Sequence, residues 1–164
     1  MTRKMRRDDK RIEDKQRIQE ILLKANYVTI AMCKDNTPYL VTLSHGYDQS
    51  NNCIYFHCAS EGKKIDYLQE NPLVWGQALI DKGYVQGACD HLYATAQFRG
   101  RVQFLENVVE KEEALKVMIR HLDDKPEKVM SEQLSPESIS NVTIGRIDIE
   151  YLSGKLADEV IIST

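Results

Sequence analysis

No hydrophobic run in this 164-residue chain approaches the roughly 20 residues of a membrane-spanning helix, and its start lacks the apolar core of a signal peptide. These absences point to a cytoplasmic protein, where the sequon Asn141-Val142-Thr143 would meet no glycosylating enzyme. A basic surplus is also missing. Lys and Arg number 22 against 25 Asp and Glu, and the net charge of −3 argues against a nucleic-acid partner. Cysteine is sparse, and Cys33, Cys53, Cys58 and Cys89 contain no C-x-x-C pair, which favours reduced structural thiols. Cys53 and Cys58 are spaced to face opposite sides of one strand, so a metal site built from them with His45 and His57 is disfavoured. Repeats, low-complexity tracts and linkers are absent too. With 42% hydrophobic residues, the chain reads as one domain over 1–164, opening with a solvated basic arm at 1–11 that includes Arg3, Lys4, Arg6 and Arg7.

What is present is mostly strand. "YVTIAMC" (27–33), "YLVTLSHGY" (39–47), "CIYFHCA" (53–59), "LVWGQALI" (73–80), 92–105 and 141–155 read as six strands separated by named breakers, with a loop around Gly83 and Gly87. In the fifth, Ala94, Ala96, Phe98, Val102 and Phe104 share one face, and Tyr93, Thr95, Gln97, Arg99 and Arg101 the other. Gly100 in its middle predicts a bend or bulge. Ile18, Ile21, Leu22 and Ala25 mark an amphipathic helix that ends by Asn26. Residues 108–122 form a second helix, acidic at its start and basic at its end as the helix dipole prefers. A mainly β, α+β domain follows: a small six-stranded antiparallel barrel with peripheral helices.

One short helix breaks the charge rule. "SEGKKIDYLQENP" (60–72) offers Ser60 as N-cap and Asn71-Pro72 as a stop, yet Lys63 and Lys64 occupy its first turn. Cations there cost about 0.3–1 kcal/mol each. A phosphate would reverse the sign, because it accepts from free backbone N–H groups, from the Ser60 hydroxyl and from both ammonium groups. The plainer alternative is that both lysines extend into water.

The stretch "IYFHCASEGKKIDYLQENPLV" resembles the strand-to-helix segment of the flavin-binding split-barrel superfamily, which includes the pyridoxamine 5′-phosphate oxidases. "MRRDDKRI" (5–12), "PYLVTLSHGYD" (38–48), "YATAQFRGRV" (93–102) and "IDIEYLSGK" (147–155) are similar in type and order to the nitroimidazole-resistance branch. The resemblance implies a six-stranded split barrel that forms a homodimer and holds FMN between its subunits. It places the phosphate on Lys63 and Lys64, and lays the flavin along Thr42, Leu43 and Ser44 with His57 and Cys58 nearby. Thr95 matches a position reaching the flavin from the other subunit, where the oxidases carry Gln. His57 becomes the candidate proton donor.

Two function classes follow from the resemblance. One is an FMN-dependent oxidoreductase acting on nitro-aromatic or similar substrates. The other is a flavin or haem carrier or sensor without turnover, with His57 or His45 as haem ligand. The oxidase reaction itself is disfavoured, since the chain closes on "KLADEVIIST" rather than an Arg-Leu-x-Pro type tail. Trp75 and Tyr93 could stack near a ring, but packing in the core or at the dimer interface is the preferred reading.

Overall fold

A computed structural model describes residues 5–157. Arg3 and Lys4 of the basic arm and the last residues of the tail, 158–164, lie outside it. The elements run β1 (Arg11–Ile12), α1 (Lys15–Lys24), β2 (Tyr27–Lys34), β3 (Thr37–Ser44), β4 (Gly46–Asp48), β5 (Cys53–Cys58), α2 (Lys63–Glu70), β6 (Leu73–Val85), β7 (Asp90–Phe104), α3 (Val108–Leu122), α4 (Pro126–Gln133), α5 (Pro136–Asn141) and β8 (Thr143–Leu156). The strands form one sheet in the order β3-β2-β6-β7-β8-β5-β4, with β1 added to β8. β3 also lies against β5, which curls the sheet towards closure as a split barrel.

There are eight strands among the described residues, not six. The expected strand 39–47 breaks at His45, because Gly46 passes so close beneath α3 that a Cβ there would lie 2.7 Å from the Met118 Cα. The other addition comes from the arm: Arg11 and Ile12 pair with Lys155 and Gly154, and Lys10 makes an ion pair with Asp90. The expected loop at 81–91 is instead an extension of the β6–β7 hairpin, with a register shift between Asp81 and Gly83 absorbing the glycine.

Alternation holds through β7. Ala94, Ala96 and Phe98 are fully buried, as are Val28 and Ile30 of β2, Ile54 and Phe56 of β5 and Ile147 of β8. Ile18, Ile21 and Leu22 of α1 complete this core, and a second cluster of Cys53, Tyr55, Ala114, Met118 and Ile144 sits under α3. Two buried aromatic rings each lie over a glycine on the neighbouring strand. Phe98 pairs with Gly76 and Phe56 with Gly145, and a Cβ on either glycine would fall 2.1 or 2.2 Å from the ring. The bulge expected at Gly100 is present: Arg99 faces Tyr151 while Gly100 faces Ile149, leaving Glu150 unpaired. A side chain at Gly100 would strike the Asp148 carbonyl.

The outer face of β3-β2-β6-β7-β8 carries Leu40, Ala31, Trp75, Arg99 and Tyr151 in one cross-strand row, and Thr42, Thr29, Gln77, Gln97 and Ser153 in the next. Leu40 is 64% exposed and Trp75 44%. The Trp75 and Tyr151 rings meet edge-on, with centroids 5.6 Å apart.

Candidate functional site

Both lysines fold back over aromatic rings, although Lys63 stays exposed and Lys64 half-buried. Lys63 Nζ lies 4.4 Å from the centroid of the Tyr39 ring and 5.6 Å from that of Tyr67, and Lys64 Nζ lies 5.6 Å from that of Phe56. Tyr39 comes from the inward face of β3, Phe56 from that of β5 and Tyr67 from α2 itself. Cation–π contacts of this kind are worth about 0.5–1 kcal/mol at exposed sites, enough to offset much of the dipole conflict. Sequence reasoning missed these three rings as site residues, since nothing local shows which ring an ammonium will meet.

The expected cap is displaced. α2 starts at Lys63, and its N-cap is Gly62 at φ +124° with no side-chain cap. Ser60 is exposed and outside the helix, so its hydroxyl does not cap α2. A Gly at φ +124° lets the chain turn sharply from β5 into the helix where an L side chain would be strained. By contrast, Asp14 caps α1, Asn107 caps α3 and Ser135 caps α5. Ile65 and Asp66 donate to the Gly62 carbonyl, whereas the first-turn N–H groups of Lys63 and Lys64 have no side-chain acceptor. This end of α2 thus combines open donors with two ammonium groups, a donor set that fits a phosphate.

Cys58 joins this cluster. Burial raises its thiol pKa, while the neighbouring Lys64 pulls the other way. His57 does not join it: its side chain is exposed, on the face of β5 that also carries Cys53 and Tyr55, opposite Phe56 and Cys58. Cys53 and Cys58 do point to opposite sides of the strand. Thr42 and Ser44 lie on the outer face of β3, with Thr42 Oγ1 3.0 Å from Thr29 Oγ1, while Leu43 turns inward. β3 ends the sheet, so one edge of its backbone has no strand partner among the described residues. Thr95 is buried on the outer sheet face between Leu79 and Lys155, with β2 and β6 separating it from β3. A single protomer therefore joins Lys63, Lys64 and Cys58 but not Thr95. His45 is fully buried, with Nε2 3.0 Å from the Leu22 carbonyl.

The comparisons agree with this architecture. A family model described as pyridoxamine 5′-phosphate oxidase matches residues 14–156. The fold is similar to that of a candidate 5-nitroimidazole antibiotic resistance protein from Bacteroides thetaiotaomicron, at 31% identity and TM-score 0.75, covering 88% of this chain and 85% of that one. It also resembles an FAD and heme binding protein from Mycobacterium smegmatis (14% identity, TM-score 0.74, 91% and 74% covered). The flavocytochrome Anf3 from Azotobacter vinelandii is similar as well (17% identity, TM-score 0.76, 93% and 72% covered). No curated protein sequence matches. Helices around one antiparallel sheet, a matching family model over most of the length and a relative at 31% identity lead to one conclusion. The chain belongs to the pyridoxamine 5′-phosphate oxidase family of flavin-binding split barrels.

Proposed function

We propose that the protein is a cytoplasmic, FMN-dependent oxidoreductase that works as a homodimer on nitro-aromatic or similarly electron-poor substrates. The observation that carries this reading is the uncapped start of α2, where Lys63 and Lys64 rest on aromatic rings beside the free edge of β3. The likeness to a candidate nitroimidazole-resistance protein supports the substrate class. Bound flavin supplies hydride chemistry. Lys63 and Lys64 hold the phosphate, the edge of β3 at Thr42–Ser44 orients the ring, and the aromatic floor with Cys58 excludes water. His57, exposed near the end of β5, is the proposed proton donor to substrate.

An absorption spectrum after reconstitution with FMN tests the cofactor directly: a flavin double band is expected, and failure to retain any flavin overturns the reading. His57→Ala should keep FMN and lower nitro-aromatic turnover by about 100-fold or more, the usual scale for a general acid. Unchanged turnover would remove His57 from the mechanism.

The dimer is proposed to form through the outer sheet face, where Leu40 and Trp75 stand exposed and Thr95 lies too far from its own lysines to serve them. Burying such apolar side chains is worth about 1.5–3 kcal/mol each. Leu40→Glu/Trp75→Glu should therefore turn a dimer into a monomer in light scattering and weaken FMN binding at least tenfold. A wild-type monomer at micromolar concentration that still binds FMN tightly would exclude the arrangement.

A further inference from the structure

The residue after Ser44 has no place in the cofactor scheme, yet it is the most buried histidine of the protein's described residues. His45 fills the one-residue break between β3 and β4 and is fully buried. Its ring stacks against His121 of α3, with centroids 4.5 Å apart and a tilt of 55°. Both imidazoles grip the same helix end. His45 Nε2 lies 3.0 Å from the Leu22 carbonyl and His121 Nε2 2.8 Å from the Ala25 carbonyl, at the last turn and C-cap of α1. A carbonyl can only accept, so each ring carries its proton on Nε2. That leaves His45 Nδ1 as a bare acceptor, buried without a hydrogen-bond partner among the described residues.

A second proton on His45 would have to sit on that orphaned nitrogen. Burial opposes it first and the neighbouring His121 second, and together they hold the group down at about 4 despite the helpful carbonyls of Leu22 and Asn26. The other facing groups offer no rescue. The groove beside the pair is lined from α3 by Arg120 and His121 and from β4 by Tyr47 and Asp48. Asp48 is already engaged by the backbone N–H and the side chain of Asn51. α1 brings Lys24 to the same end, and the Cys53 thiol and Tyr55 phenol under α3 are both held neutral by burial.

We propose that the His45–His121 pair is an acid-sensitive latch: a proton on His45 Nδ1 expels its ring, parts α1 from α3 and frees the end of β3 that carries Thr42, Leu43 and Ser44, so that flavin is released. The flavin half of this proposal rests on the function proposed above, whereas the opening does not. The proton that His45 refuses when closed is accepted near 6.5 by an exposed imidazole. The closed state is therefore fully favoured above that value and loses ground as pH falls towards about 4. By pH 5 the open form gains roughly 30-fold over pH 7.5, from the ratio of the two proton-binding terms.

Hydrogen exchange on the FMN-loaded and flavin-free protein, near pH 7.5 and near pH 5 and corrected for intrinsic rates, tests this. Amides in 20–26 and 40–48 should lose protection by roughly 30-fold at the lower pH, with FMN fluorescence recovering in step. His45→Phe keeps a ring but cannot titrate, so protection and flavin should hold at both pH values. Unchanged wild-type protection, an equal loss in His45→Phe, or flavin release without local opening would each overturn the latch. Acid opening in a protein that takes up no flavin at neutral pH would uphold the latch and sink the flavin reading separately. If His45→Phe does not fold, a proton NMR titration decides: a His45 midpoint far below the ordinary range, coinciding with the opening, supports the proposal, and an ordinary midpoint overturns it.

Discussion

Replacing Lys63 and Lys64 together with alanine is expected to weaken FMN binding by two to four orders of magnitude while leaving riboflavin binding almost unchanged. Each charge-assisted hydrogen bond to the phosphate contributes about 1.5–3 kcal/mol, and about 1.4 kcal/mol corresponds to one decade of affinity. Riboflavin has no phosphate, so it should not register the loss. The flavin-free variant should stay within about 1 kcal/mol of wild type. It loses the contacts to Tyr39, Tyr67 and Phe56, and it also loses two cations from a helix start that disfavours them. Calorimetric titration of both flavins into wild-type and variant apoprotein, with melting curves alongside, reads all three quantities. Equal losses for FMN and riboflavin would remove the phosphate from α2.

A single methyl group at Gly145 is expected to destabilise the fold by about 3–5 kcal/mol, the scale of deleting a buried phenylalanine. Its Cβ would sit 2.2 Å from Phe56 Cζ and 2.6 Å from Cε1, and the ring is fully buried. The typical cost of overpacking is about 1–3 kcal/mol, but it assumes a neighbour that can shift. The control is a double-mutant cycle of Gly145→Ala with Phe56→Leu in urea denaturation. Because the two residues are cross-strand partners in contact, the double variant should be more stable than the sum of the singles predicts by about 1 kcal/mol or more. Strict additivity, or a Gly145→Ala cost below about 0.5 kcal/mol, would contradict the packing. The ring also lies beneath Lys64, so this core change should loosen FMN binding without touching a lysine.

The elements that depend on local pattern were legible in the sequence. The helix at 108–122 stands where its apolar spacing and charge order place it, and Gly100 marks a real bulge. Errors arose where tertiary contact outvoted a local signal. Ser60 is the better cap by propensity, but the turn out of β5 places Gly62 at the helix boundary. Gly83 and Gly87 suggested a loop because a bulged hairpin and a loop use the same residues.

The site was half legible. Lys63 and Lys64 stood out because they violate a rule the chain obeys elsewhere. Their aromatic supports did not, because Tyr39 and Phe56 reach them only through the closure of the sheet. The same limit hid the pairing of His45 with His121, which no spacing within either element announces. His57 shares the face of β5 that carries Cys53 and Tyr55, which is the one turned away from the lysines.

The open edge of β3 has a consequence for how the chain survives before its site is filled. From Thr37 to Ser44 the strand carries no charged side chain, and Pro38 at its start is its one built-in obstacle to further pairing. Tyr-Leu-Val-Thr-Leu is the kind of β-rich, uncharged run that nucleates intermolecular sheets. Soluble proteins usually blunt such an edge with lysine, a bulge or a covering segment. A cofactor lying along the strand would serve the same end, guarding the chain against aggregation as well as supplying chemistry. The supply of flavin in the cell would then set how much of this protein stays in solution, not merely how much of it is active.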